Sequence, residues 1–187
     1  DSPNARLGIV TTGKSYLDVM QALDDLGIDQ DYAAELGLRI YKVGMPWPLE
    51  RDGIRHFADG LEEILVVEEK RAVIENQLKE QLYNWRESVR PRVVGKFDEE
   101  GDWVLPSAFE LSPARIARVI AARMEQFITS PRIVERLAFL ENKEKELDAT
   151  TPTDIVRTPY FCAGCPHNTS TVVPEGSKAA AGIGCHY

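Results

Sequence analysis

Apolar and polar positions over residues 6–97 alternate between two periods. Short β-rich runs give way to longer stretches in which apolar residues return every three or four positions, the two spacings that separate strand from helix. Residues 6–12 (RLGIVTT) predict a first strand ending at Gly13. Ser15 is then placed to cap a helix bearing Leu17, Met20, Leu23 and Leu26, stopped by Gly27. A short helical piece over 31–36 closes at Gly37, and residues 38–43 (LRIYKV) predict a second strand ended by Gly44 and Pro46-Trp47-Pro48. Residues 50–59 put Ile54 and Phe57 on one helical face. Residues 63–67 (EILVV) predict a third strand, apolar almost throughout, as a strand covered on both faces needs to be. Residues 72–85 place Ile74, Leu78, Leu82 and Trp85 in helical register, and 92–97 predict a fourth strand.

Strands separated by helical stretches are the signature of βαβ units, so the expected fold is α/β with a parallel, doubly wound sheet. Lys96-Phe97 and Trp103-Val104 flank residues 98–102 (DEEGD), which read as a hairpin tip. Beyond residue 104 the pattern becomes helical. Ser112-Pro113 and Ser130-Pro131 each set a capping hydroxyl before a proline suited to the first helical position. The first helix carries Ile116, Val119, Ile120, Met124 and Phe127. The second carries Ile133, Leu137 and Leu140, then a mixed charge run over 141–146 that reads as a solvated helix end. Residues 149–158 look like a linker. The expected organisation is thus an α/β domain over 1–104, a helical linker over 105–158 and a further domain opening at 159. The two helices are expected to bridge the domains, because their apolar stripes need a surface to pack on.

Composition narrows the classes without naming one. With 187 residues, 43% hydrophobic and 28% charged, the chain is an ordinary globular one, and no apolar run reaches the roughly 20 residues of a membrane span. The formal net charge of −8 removes any bulk electrostatic case for nucleic-acid binding. The chain starts at Asp1 and stops inside a Gly-rich stretch, so it is expected to be a segment of a longer protein. No secretory pattern is visible, and a cytoplasmic protein is expected.

All three cysteines lie in the tail, as Cys162-x2-Cys165 and then Cys185, near His167 and His186. A Cys-x2-Cys turn brings two thiolates to one metal centre, and a distant third can join them. Three thiolates are one short of a [4Fe–4S] set. Zinc with His167 or His186 as fourth ligand, dithiol redox chemistry, or a tight turn with buried thiols fit the spacing too. Haem attachment does not, because Pro166 stands where His must follow directly. Elsewhere the residues say less. Thr11-Thr-Gly-Lys-Ser15 lacks the first glycine and the loop of a phosphate-binding motif and reads as a strand-to-helix turn. Glu68-Glu-Lys-Arg71 sits at the third strand's carboxyl end, where open α/β sheets bind ligands, yet reads first as a solvated charge cluster. His56 reads as structural, and Lys96 is uninformative.

The string from Tyr160 through Cys162-Ala-Gly-Cys165-Pro-His167 to Thr171, with Val173-Pro-Glu-Gly-Ser177 and Ala181-Gly-Ile-Gly-Cys-His186, resembles the indolepyruvate ferredoxin oxidoreductases of the long fused bacterial type. These belong to the thiamine-diphosphate-dependent 2-oxoacid:ferredoxin oxidoreductases. Residues 41–49 (YKVGMPWPL), 66–70 (VVEEK) and 94–96 (VGK) resemble the same family. The resemblance covers nearly the whole chain. It implies that 1–104 is a transketolase C-terminal-like domain, mostly scaffold and subunit interface, and that 159–187 opens a thiamine-diphosphate-binding domain.

The resemblance also implies that Cys162, Cys165 and Cys185 ligate a [4Fe–4S] cluster, and that Gly164, His167, Gly182 and Gly184 approach the cofactor. The implied cofactors are thiamine diphosphate, Mg2+ and the cluster. The implied reaction is oxidative decarboxylation of an aryl 2-oxoacid with coenzyme A, with ferredoxin taking the electrons, in a homo-oligomer bound to neither nucleic acid nor membrane. The chain departs from the family in lacking a Gly-Asp-Gly…Asn magnesium motif, an identifiable catalytic glutamate region and a fourth cysteine, so no catalytic residue is assigned and the segment alone is expected to be inactive. The competing readings are a zinc-stabilised partner-binding module without catalysis and a purely structural α/β segment.

Overall fold

Four strands run parallel in one sheet. β1 (Leu7–Thr12) is hydrogen-bonded to β2 (Leu38–Val43) on one side and to β3 (Glu63–Val67) on the other, with β4 (Arg92–Val94) beyond β3. The order across the sheet is β2-β1-β3-β4, so the chain's course reverses between β1 and β3. This computed structural model describes Ser2, residues 4–149, residues 160–180 and Gly184. It falls into two compact units, residues 1–147 and 148–187.

Alternation along the strands divides the apolar residues between two layers. Leu7, Ile9, Leu65 and Val67 face α1 (Gly13–Asp25) and α5 (Pro113–Glu125), meeting Val19, Leu23, Ile116 and Ile120. Val10, Ile64 and Val66 face α3 (Arg51–Ala58) and α4 (Ile74–Leu82), meeting Ile54, Phe57, Ile74 and Leu78. Helices on both faces make the sheet doubly wound, as expected. All five residues of β3 are buried, which explains its unbroken apolar run. On the second layer a methyl group at Gly8 would lie 2.5 Å from Leu61 Cδ1 and 2.8 Å from Phe57 Cζ, so only glycine lets α3 come this close to β1.

Several local expectations are corrected. Ser15 does not cap α1: the helix begins at Gly13, Thr12 occupies the cap position without a side-chain bond, and Ser15 is buried one turn in. The buried face of α1 is Ser15, Asp18, Val19, Ala22 and Leu23, with Leu26 buried just beyond, while Leu17 (66% exposed) and Met20 (41%) point outward. Residues three apart drift backward around a helix that turns about 100° per residue, so Leu17 and Leu26 end on opposite faces. Strand β4 stops at Val94 because the chain leaves the sheet at Gly95. It then forms the expected hairpin, Phe97 bridging Trp103 and their rings tilted at 40° with centroids 4.2 Å apart. Helix α4 starts at Ile74, two residues late. Between α1 and β2 lies α2 (Gln30–Glu35), closed by Gly37 at φ 74°.

Residues read as a linker contribute to the core of the first unit. Ser112 caps α5 through Arg115 N–H (3.3 Å), and α5 packs Ile116, Ala117, Ile120 and Met124 into the layer shared with α1. Ser130 Oγ accepts from Ile133 N–H (3.2 Å) at the start of α6 (Pro131–Ala149), whose Ile133 is buried in the same layer. The remaining linker expectation, over 150–158, lies outside the described residues.

Buried charges close both ends of β3. At the amino end Glu63, 1% exposed, receives Arg123 of α5 (Nε to Oε1, 2.7 Å), and this hydrogen bond raises the guanidinium's already high pKa further. At the carboxyl end Glu68 is not part of a solvated cluster. It is 4% exposed and its carboxylate accepts from Val73 N–H (3.1 Å), Ile74 N–H (2.9 Å) and Glu75 N–H (3.0 Å), neutralising the amino terminus of α4 across an intervening loop. Lys96 is likewise informative after all. Its side chain is buried, its Nζ donates to Glu68 O, and its N–H donates to Glu75 Oε2 (2.9 Å). Any side chain at Gly95 would collide with that Glu75 carboxylate. Burial lowers the Lys96 pKa from its usual value, against the opposing pull of Glu68, Glu75 and Glu69.

Two outcomes follow for stability. Leu65→Ala removes a side chain buried between sheet and helices and should cost about 2–5 kcal/mol in urea denaturation; Ile120→Asp should cost at least as much, since α5 would bury a carboxylate without a partner. Unchanged midpoints would show that neither site is core. Between the depressed folded pKa of Lys96 and its ordinary 10.5, the unfolded chain holds the extra proton, so Lys96 makes stability rise with pH in that window. Comparing unfolding free energies of the wild type and Lys96→Met from pH 7 to 10.5 tests this: the wild-type curve should gain on the variant's, and parallel curves would exclude it.

Candidate functional site

Two regions of the chain gather reactive groups. The first is the carboxyl end of the sheet, where β1 turns into α1 through Thr11-Thr-Gly-Lys-Ser15. Gly13 sits at φ 52°, which lets the strand enter the helix directly. Lys14 is taken up by carboxylates: Asp18 at 2.8 Å, Glu110 at 2.7 Å and Glu69 at 3.7 Å. Hydrogen bonds to Asp18 and Glu110 raise its pKa above the usual value. A lysine already enclosed by three carboxylates is poorly placed for phosphate, and the segment is the strand-to-helix turn its sequence predicts. His56 lies exposed in the last turn of α3, where a cation suits the helix dipole.

The second region is the cysteine turn. Cys165 N–H donates to Cys162 O (3.0 Å), and Gly164 at φ 78° allows the chain to close between them. A one-turn helix, α7 (His167–Ser170), follows directly. From it Asn168 Nδ2 also donates to Cys162 O (3.0 Å), so one carbonyl takes bonds from both ends of the motif. His167 Nδ1 lies 3.3 Å from Cys165 Sγ, and the Phe161 ring stacks on the His167 ring at 5.2 Å and 22°. Cys162 is exposed and Cys165 half-buried, and neither is in a disulfide.

The structure therefore brings together Cys162, Gly164, Cys165 and His167, and it leaves Gly184 exposed. Gly182, Cys185 and His186 lie outside the described residues. Buried thiols, one reading of the motif, are not what the turn presents. Two soft, accessible sulfur donors in one closed turn fit half of an iron–sulfur or zinc ligand set. Among the described residues no three His, Cys, Asp or Glu side chains are grouped to complete one. For thiamine diphosphate and Mg2+ the described residues offer glycine backbone but no grouped carboxylate set. No helix among the described residues is long and apolar enough to cross a membrane.

The residue missed by sequence reasoning is Glu75, drawn against Lys96 from a separate element at the carboxyl end. Lys96 itself lay inside the expected fourth strand, and nothing in its string signalled a buried partner.

Residues 1–150 match the model of the indolepyruvate ferredoxin oxidoreductase middle domain. Over 188 aligned residues the chain is 30% identical to indolepyruvate oxidoreductase subunit IorA of Thermococcus kodakarensis, and 28% identical to that of Pyrococcus horikoshii; each alignment takes in 98% of the chain and 26% of the relative. A 2-oxoglutarate:ferredoxin oxidoreductase from Magnetococcus marinus, solved with 2-oxoglutarate, coenzyme A and succinyl-CoA bound, overlaps 66% of this chain and 18% of its own, at 16% identity and a TM-score of 0.44. The chain spans about a quarter of the length of the curated relatives it matches. With its four parallel strands and capped α5 inside the matched range, the chain belongs to the indolepyruvate ferredoxin oxidoreductase family and carries that family's middle domain.

Proposed function

We propose that this chain is a segment of an enzyme that oxidatively decarboxylates aryl 2-oxoacids such as indolepyruvate, using coenzyme A and passing the electrons to ferredoxin. The observation that carries the reading is the accessible Cys162–Cys165 turn lying downstream of a middle domain of this family. Such a protein works in the cytoplasm as a homo-oligomer, and residues 159–187 open its thiamine-diphosphate-binding domain. When bound, thiamine diphosphate with Mg2+ would supply a nucleophilic carbon for the keto group, and a [4Fe–4S] cluster held by the cysteines would take electrons one at a time.

The chain's own residues hold rather than react. Cys162 and Cys165 supply two thiolates from one turn, with Cys185 as the third. Asn168 and the Cys165 N–H fix the Cys162 carbonyl, which keeps both sulfurs on a rigid loop. Gly164, His167, Gly182 and Gly184 would approach the cofactor, glycine allowing close contact. The first unit contributes scaffold and contact surface.

The 187 residues alone should bind no cluster, so the test uses the full-length protein. Reduction of ferredoxin should depend on coenzyme A and be faster with indolepyruvate or phenylpyruvate than with pyruvate. No reduction with any 2-oxoacid would refute the activity.

Cys165→Ala in the same protein should lower bound iron, alter the EPR signal of the reduced state and abolish turnover. Full iron and turnover would make the cysteines structural. The 3.3 Å pairing of Cys165 Sγ with His167 Nδ1 is also a start for a mixed Cys/His zinc site, so zinc without iron or sulfide would establish the partner-binding alternative.

A further inference from the structure

The cysteine turn does not treat its two sulfurs alike. His167 Nδ1 lies 3.3 Å from Cys165 Sγ, whereas the bonds at Cys162 run through its carbonyl. Among the described residues, only Cys165 has an imidazole at its sulfur. The pairing is built into the local chain. Pro166 stands between the two residues, and its ring holds φ at −62°, so a single soft backbone torsion remains there. Cys165 O accepts from Asn168 N–H (3.1 Å) and His167 O from Thr171 N–H (3.1 Å), which fixes the backbone on both sides of the proline. The His167 ring is held in turn by the Phe161 ring, stacked at 22° with centroids 5.2 Å apart. An imidazole with its face on Phe161 and its Nδ1 edge at Cys165 is oriented from two directions.

The chemistry of the sulfur decides which way the hydrogen bond runs. As a free thiol, Cys165 can donate to Nδ1 or accept from it. A sulfur that binds a metal is a thiolate with no proton to give, so in a loaded site the shared hydrogen belongs to Nδ1. A [4Fe–4S] centre is held by thiolates, which leaves the imidazole to act on a sulfur and not on iron. Such a centre gains one negative charge when it takes an electron. An N–H aimed at a ligating sulfur therefore favours the reduced form and raises the midpoint potential.

We propose that His167, through a hydrogen bond from Nδ1 to Cys165 Sγ, raises the potential of the iron–sulfur centre and so sets how readily it accepts electrons, a role that rests on reading Cys162 and Cys165 as cluster ligands in a longer oxidoreductase. His167 is a positioning residue that acts through the sulfur, and Phe161 holds it there.

The test is a dithionite titration of the full-length protein, purified without air and followed by EPR at one fixed pH. The signal followed is the one that Cys165→Ala changes. His167→Leu removes the donor, and His167→Asn keeps a side-chain N–H as many bonds from the backbone as Nδ1. Both variants should retain the wild-type content of iron and acid-labile sulfide. The midpoint of the leucine variant should shift to a more negative potential, and that of the asparagine variant should return toward the wild type's. Equal midpoints in all three proteins overturn the proposal, and so do two variants shifted alike. Loss of iron from either variant also overturns it, His167 then being a ligand or a prop of the turn. A wild-type protein without any iron–sulfur signal refutes the cluster reading and the proposal with it. A wild-type signal whose midpoint His167→Leu leaves in place refutes the hydrogen bond alone.

Discussion

Burying β3 on both faces and both edges takes every backbone polar group of that strand out of water, and the rest of the first unit is arranged to satisfy that condition. It is paired with β1 along its whole length on one side and with β4 at Glu63, Ile64 and Leu65 on the other. Its side chains demand helices on both sides of the sheet, which is why the chain must cross over the sheet and back rather than lie along one face. What remains polar is forced to the two ends of the strand, and each end is closed by a carboxylate with a dedicated set of donors.

Those two carboxylates do different structural work. Glu63 reaches a helix far along the chain, and its bond to Arg123 fastens α5 to the amino end of the sheet. Helix α5 therefore completes the layer begun by α1, although no strand follows it among the described residues. Glu68 acts locally: it holds the start of α4 and lends its carbonyl to Lys96, which draws the exit from β4 back against β3.

Much of this was legible in the sequence because burial and period dominate it. The limits of β2 and β3, the two faces of the sheet and the caps at Ser112 and Ser130 are local patterns that tertiary contacts leave alone. The errors came where a residue's partner is distant. Three-residue spacing made Leu17 look like part of the α1 core, while the actual face is set by α5, about a hundred positions away. Glu68 read as part of a solvated charge cluster and Lys96 gave no reading, because their partners cannot be seen from either string. Cys162 and Cys165 were the reverse case: their spacing gave the turn and Gly164 its closing bend, while the third cysteine falls outside the described residues.

The openness of the cysteine turn sets a condition on how such a protein is made. Two free thiols three residues apart are competent to form a disulfide with each other, Cys162 being exposed and Cys165 half-buried beside His167. Under the proposed cluster assignment, air reaching the newly made chain before metal does would consume both donors in one reaction, and the oxidised loop could not be loaded afterwards without a reductant. Assembly on that assignment is a race between metallation and oxidation of the same two thiols. Iron-poor preparations made aerobically would report on that race, not on the affinity of the finished site.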